Sequence, residues 1–207
     1  VTDESRSKLA EQRGLEPHVY QPAEDSALLA SAVIESLSEE PLSKESGSEP
    51  RCLLEVGTGS GWVAQQVATE TDAHVVGSDL NPHACRQAYD RGVRAVRADL
   101  LAPFADGVFD AVLFNPPYLP TDPENEWDDW MEHALSGGED GRRLIVPFLE
   151  DVGRVLASNG EVYLLVSSLT GYDIVVDLAE NAGFVVDEIS QESYPFEVLS
   201  ILRLRSK

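Results

Sequence analysis

Asn115-Pro116-Pro117-Tyr118 stands directly after the apolar run Val112-Leu113-Phe114. A side-chain amide, two residues without N–H groups and an aromatic ring therefore share the end of what reads as a buried strand. Such a set suits a flat –NH2 group. If Asn115 Oδ1 and the Pro116 carbonyl each accept one N–H, the nitrogen lone pair is aimed at an incoming carbon electrophile. Tyr118 would pack on the flat face, and the two prolines would fix the backbone. An amide nitrogen is a weak nucleophile because its lone pair is delocalised into the carbonyl. Orientation in a dry pocket then matters more than a strong general base. The chemistry indicated is methylation of an amide or amino nitrogen, with Asn115, Pro116, Pro117 and Tyr118 as catalytic candidates. A rigid turn after a strand would use the same residues, so the reading depends on what else lies in register.

Three other strand ends are in register. Leu54-Glu55-Val56-Gly57-Thr58-Gly59-Ser60-Gly61 is a glycine-rich turn after the first core strand, and its small residues, Gly57 and Gly59 among them, let a cofactor approach the backbone closely. The spacing is G-x-G-x-G, whereas a dinucleotide site wants G-x-G-x-x-G with a pyrophosphate on the helix start. Glu55 would repel a phosphate and would suit the amino and sulfonium groups of S-adenosylmethionine. Asp79 ends the second strand, placed to accept both ribose hydroxyls. Asp99 follows the third, placed for the adenine amino group, with the Leu100 backbone N–H reaching a ring nitrogen. Each acid alone reads as a loop acid or helix cap. Together they make one crevice, because a doubly wound sheet gathers its strand ends.

The elements that must position these groups alternate. A helix is expected from about Pro22 to Leu37, with Leu28, Leu29, Ala32 and Val33 on one face, followed by a polar loop over 39–50. Strands are expected at 51–56, 73–78, 93–98, 109–114, 161–167, 184–190 and 197–204. Helices are expected after the glycines to about Thr71, and over 82–91, 142–156 and 172–182. Residues 115–140 read as an acidic loop. This is an α/β chain: a doubly wound, mostly parallel seven-stranded sheet of Rossmann-like type. Its last two strands, with no helix between them, form a hairpin that places one antiparallel strand in the sheet.

Composition bounds the rest. The 207 residues carry 15 Lys and Arg against 37 Asp and Glu, a formal charge of −22, and 43% are hydrophobic. That supports one core and one domain over 1–207, with 1–16 as an extension and 17–207 as the catalytic part. Acidity of this degree would repel a phosphate backbone at ordinary salt. It is also what a high-salt cytoplasm favours, where screening shortens to about 3 Å at 1 M. Cys52 and Cys85 form no C-x-x-C pair, and His18, His74, His83 and His133 are dispersed, so no bound metal is expected. No apolar run approaches the roughly 18 residues of a membrane span, and a cytoplasmic location is expected.

Residues 52–118 resemble the class I S-adenosylmethionine-dependent methyltransferases, and Asn-Pro-Pro-Tyr is similar to those acting on glutamine amides or adenine. With Val19-Tyr20-Gln21-Pro22-Ala23-Glu24-Asp25-Ser26 and Gly137-Gly138-Glu139-Asp140-Gly141, the resemblance narrows to the HemK-type protein glutamine methyltransferases, in the archaeal and eukaryotic branch. It spans about residues 17–204. It implies cofactor contacts at Ser26, Glu55, Gly57, Asp79, Asp99, Leu100 and Asn115, and substrate contacts at Tyr20, Pro22, Asn115 and Tyr118. It further implies that the acceptor is the glutamine N5 of the class I translation termination factor. A small zinc-binding activator protein is implied as partner, for which the exposed edge strand Val93–Ala98 is the expected surface. Tyr20 to Ser26 could alternatively serve only as a helix start, and Gly137 to Gly141 as a flexible loop. Trp127, Trp130 and Met131 could cap the pocket or pack in the core. Two other functions stay open at this stage: adenine N6 methylation of DNA or RNA, and a non-catalytic adaptor subunit.

Overall fold

The computed structural model describes residues 18–39, 51–122 and 129–207. The expected extension over 1–16, most of the polar loop over 39–50, and Trp127 lie outside the described residues. Seven strands form one sheet: β1 (Cys52–Val56), β2 (His74–Asp79), β3 (Arg94–Arg97), β4 (Phe109–Phe114), β5 (Leu156–Ser167), β6 (Phe184–Ser193) and β7 (Val198–Ser206). Their order is β3-β2-β1-β4-β5-β7-β6. β7 runs antiparallel to both β5 and β6, and the pairs among the first five strands are parallel. Among the described residues six α-helices accompany them: α1 (Glu24–Glu39), α2 (Trp62–Glu70), α3 (Pro82–Asp90), α4 (Trp130–Leu135), α5 (Ile145–Val155) and α6 (Tyr172–Asn181). Among the described residues, no helix is long and apolar enough to cross a membrane.

Side-chain alternation along the central strands divides the core into two layers. Leu54, Val56, Val112 and Phe114 pack with α5 and α6 through Ile145, Phe148, Val152, Val175 and Ala179. Leu53, Ala111 and Leu113 face the other way, onto α1 and α2 through Leu29, Val33, Val63 and Val67. Continuous apolar runs such as Leu53-Leu54 and Val112-Leu113-Phe114 are what a strand buried on both faces requires. Val56 is in register with Ser78 of β2 and Phe114 of β4, so the three strands end level with one another.

Several boundaries differ from the sequence expectation, each for a local reason. Strand β3 is the expected edge but is shorter than 93–98, because the Val93 N–H turns back to the Ala88 carbonyl at the helix exit. β5 begins at Leu156, which pairs with Phe109 across a register shift. Helix α5 begins at Ile145 because the Arg142 and Arg143 N–H groups go instead to Asp140 Oδ1 and the Gly137 carbonyl. Within the supposed loop of 115–140, the short helix α4 forms where Asp129 Oδ1 accepts the Glu132 N–H at 2.8 Å, an N-cap.

Phe148 is fully buried, with its ring centroid 4.5 Å from that of Phe114, the residue before Asn115. Phe148→Ala should cost about 3 to 5 kcal/mol. Urea denaturation measures this, and a loss under about 1.5 kcal/mol would show that the contact does not anchor the end of β4.

Candidate active site

The ends of β1 to β4 open into a cavity of about 620 Å³, lined by Glu55, Gly57, Gly59, Asp79, Asp99, Leu100, Ser26 and Asn115 through Tyr118. All the sequence-predicted cofactor positions thus meet at one place. It is the crevice where strand order reverses, between β1 and β4. Tyr20 and Pro22 line the same cavity from the segment before α1.

Glu55 holds the glycine turn together. Helix α2 is preceded by Gly61, which has no side chain to cap it, and Glu55 Oε2 accepts the Ala64 N–H at 3.0 Å in its place. The same oxygen accepts from Thr58 Oγ1 at 2.5 Å. Burial pushes the Glu55 carboxyl up to about 8, opposed by the Thr58 and Ala64 hydrogen bonds and assisted by nearby Asp79. Glu55, expected to suit the amino and sulfonium groups of the cofactor, thus has a structural task as well, with one of its two oxygens committed to the glycine turn and the start of α2. Gly61 is needed for close approach, since a Cβ there would lie 2.8 Å from Ala88 Cα on α3.

Asp79 is likewise partly committed. Its Oδ2 accepts the Gly59 N–H and its Oδ1 the Asn81 N–H, both at 2.9 Å, which fixes the carboxylate at the cavity wall. Each oxygen keeps a second lone pair, so two hydroxyls can still be accepted. Burial raises the Asp79 carboxyl above its ordinary range, against the Asn81, Gly59 and Leu80 N–H groups. Leu100 adopts φ +45°, a left-handed conformation that costs a side-chain-bearing residue of order 1 to 3 kcal/mol. Strain of this kind persists only where the surroundings impose it, and here it lies in the cavity wall.

At the acceptor end, Asn115 Oδ1 is buried and has no hydrogen-bond partner. Its Nδ2 donates to Asp25 Oδ2 at 2.9 Å. The same Asp25 oxygen accepts from the Tyr20 hydroxyl at 3.2 Å, and Asp25 Oδ1 accepts the Ser26 N–H at 2.6 Å. Asp25 is only 5% exposed. Nothing in the sequence singled it out from its acidic neighbour Glu24, because its partner lies ninety residues away. Burial, then the Asp25 carboxylate, raises the Tyr20 hydroxyl; burial, then Asp25 and Glu197, raises that of Tyr118, so both stay protonated phenols.

Gly137 to Gly141, left open as a flexible loop, is instead a brace. The Gly137 N–H bonds to the Leu119 carbonyl at 2.8 Å and the Thr121 N–H to the Gly138 carbonyl at 2.9 Å. Gly141 has φ +74°, and a Cβ there would lie 2.5 Å from the Tyr118 carbonyl oxygen. Trp130 lines the cavity, whereas Met131 is not among its walls. His18 and His83, dispersed in sequence, stack with centroids 4.9 Å apart. Among the described residues, no cluster of three or more His, Cys, Asp or Glu side chains is arranged to hold a metal ion.

A cavity walled by Asp25, Glu55, Asp79 and Asp99, at the switch point of a doubly wound sheet, defines a class I S-adenosylmethionine-dependent methyltransferase. Its acids suit a cationic cofactor and would oppose a pyrophosphate. Residues 53–136 match the methyltransferase domain family. Over 194 residues the chain is 32% identical to a Methanocaldococcus jannaschii protein provisionally named a protein N5-glutamine methyltransferase, covering 91% of this chain and 92% of that one. It is 30% identical over 202 residues to the mouse methyltransferase HEMK2, covering 92% and 91%. A structure of the E. cuniculi Mtq2-Trm112 complex, responsible for methylation of the translation termination factor eRF1, matches with a TM-score of 0.72 at 27% identity, over 92% of this chain and 99% of that one. The chain belongs to the HemK-type methyltransferase family. S-adenosylmethionine, when bound, supplies an electrophilic methyl group on a sulfonium sulfur.

Two outcomes test this geometry. Because burial raises the folded-state Glu55 carboxyl, its contribution to stability is full below about pH 4.3, the unfolded value, and is lost as pH rises towards about 8. The difference in unfolding free energy between the wild type and Glu55→Gln should therefore fall across that window. A difference independent of pH would remove the assignment. Gly141→Ala should destabilise by about 2 kcal/mol or more, from left-handed strain plus the clash with Tyr118, and should lower methyl transfer more than cofactor affinity.

Proposed function

We propose that this chain methylates the side-chain N5 of the glutamine in the Gly-Gly-Gln motif of the class I translation termination factor. The observation that carries the reading is the buried, unpartnered Asn115 Oδ1 at the cofactor cavity. An orphaned buried acceptor costs about 1 to 3 kcal/mol, and an –NH2 group placed against it recovers that cost. In this reading Ser26, Glu55, Gly57, Gly59, Asp79, Asp99 and Leu100 hold the cofactor. Asn115 and the Pro116 carbonyl receive the two amide hydrogens, Pro117 stiffens the turn, and Tyr118, Tyr20 and Pro22 wall the amide. Support for the substrate comes from the relatives, among them the E. cuniculi complex that methylates eRF1. Residues 17–207 act as one catalytic domain behind an extension over 1–16.

The partner we propose is a small zinc-binding activator, added as a strand along β3. The sheet ends there, with Val96 40% exposed between the exposed Arg94 and Arg97. The pair works as a heterodimer in a cytoplasm rich in salt, which the charge of −22 suits.

The test offers labelled S-adenosylmethionine with purified termination factor, its glutamine-to-alanine variant, and duplex or single-stranded DNA, with and without the activator at high salt. Label is expected on the factor alone, and lost with the glutamine. Label on DNA and not on the factor would establish adenine methylation instead; no label anywhere would indicate an adaptor. Asn115→Ala should lower transfer by about a hundredfold or more while cofactor affinity stays within a few fold.

A protein substrate also needs a docking surface beyond the cavity. Phe196 is 94% exposed at the β6–β7 turn, one residue before the cavity-lining Glu197. Phe196→Ser should raise KM for the termination factor about tenfold, the loss of one apolar anchor, and leave KM for the cofactor unchanged. Equal KM values for the factor would mean the ring does not touch it.

A further inference from the structure

We infer that Asp25 is the positioning residue that sets which way the Asn115 amide faces. An Asn side chain has two nearly isosteric orientations: one presents Oδ1 to the substrate, the other presents Nδ2. Only the first can accept an N–H from the acceptor nitrogen. Asp25 selects it, because an ionised carboxylate accepts and cannot donate. With Asp25 Oδ2 at 2.9 Å from Asn115 Nδ2, the alternative orientation would set two oxygens against each other at hydrogen-bond distance. The chosen one forms a charge-assisted bond.

Asp25 is itself held. Oδ2 takes the Tyr20 hydroxyl at 3.2 Å, and Oδ1 takes the Ser26 N–H at 2.6 Å and the Ser26 hydroxyl at 3.2 Å. Four donors from three residues converge on a carboxylate that is 5% exposed. It lies at the start of α1, where the helix N-terminus favours negative charge. Tyr20 to Ser26 is thus more than a helix start or a cofactor wall. The segment is the outer layer of the acceptor site, joined to it through one carboxylate. The consequence is selectivity. With Nδ2 tied to Asp25, the free Oδ1 requires a donor, so the site takes an amide or amine and disfavours a carboxylate of the same shape.

The inference rests on amide methylation as proposed above, and the experiment separates the two. Asp25→Asn keeps the size of the side chain but can donate, which lets Asn115 turn and present Nδ2 to the substrate. In Asp25→Asn, kcat for the termination factor should fall about a hundredfold, as for a misdirected contact. Cofactor Kd should stay within threefold, with thermal unfolding little changed. The specific readout is inhibition by a termination factor whose acceptor glutamine is replaced by glutamate. Relative to the alanine-substituted factor, that variant should inhibit Asp25→Asn at least tenfold better than it inhibits the wild type. A loss of packing alone would not change the ratio. Asp25→Ala, which can neither accept nor donate, should lose activity without gaining affinity for the glutamate factor.

Orientation is also read without turnover, from the side-chain ¹H–¹⁵N resonances of Asn115, assigned by their loss in Asn115→Asp. They should be slow to exchange in the wild type and shifted, with faster exchange, in Asp25→Asn. If the wild type fails to methylate the factor, the substrate reading falls and these resonances still decide the role of Asp25. Unchanged resonances, or kcat within threefold of the wild type, would overturn the inference.

Discussion

Parallel pairing of β1 with β2 on one side and β4 on the other makes the three strands end level and point the same way. A chain that reverses its winding at β1 must leave a crevice there, since the helices that follow adjacent strands cover opposite faces of the sheet. Everything that the site contains is fastened to this crevice. The glycine turn leaves β1, Asp79 closes β2, Asp99 follows β3 and Asn115 follows β4. Phe114 anchors the last of these through Phe148, so packing inside the core sets where the acceptor amide can stand.

The acids in this crevice are satisfied by dipoles and not by opposite charges. Glu55, Asp79 and Asp25 take backbone N–H groups, hydroxyls and one amide, whereas the arginines Arg142, Arg154 and Arg205 pair elsewhere, with Asp140, Asp151 and Asp187. Dipoles can satisfy a buried carboxylate without cancelling its charge. The cavity therefore keeps a negative potential through its aspartates that a cationic cofactor completes, while at Glu55 burial outweighs the dipoles and pushes the carboxyl up to about 8, so that it holds its proton at neutral pH.

What sequence could reveal here was whatever is local or periodic. Apolar strands, the glycine turn and the acids at strand ends were legible because each is written within a few neighbouring residues. The hairpin of β6 and β7 was legible because no helix separates them. The bond from Asn115 to Asp25 was not, since its two ends are ninety residues apart and neither carries a spacing rule. Helix α4 was missed because six residues with one polar cap leave almost no period to detect. Gly141 could be read as a turn glycine from sequence. Its role against the Tyr118 carbonyl depends on two backbones meeting, and only the fold shows it.

The same distinction bears on glutamine against adenine. Both present a flat –NH2 group, and Asn115 with Pro116 would receive either. Overall acidity does not decide between them, because net charge speaks to solubility and not to what one site accepts. Charges within contact distance of the bound group are a different matter. Asp25 and Glu197 both raise the Tyr118 hydroxyl, so their fields reach the wall of the acceptor pocket. A nucleotide entering there would bring negatively charged phosphates towards those carboxylates, which repel them. A polypeptide loop brings no such charge. Local acidity at the cavity mouth, and not the net charge of the chain, is what favours the amide.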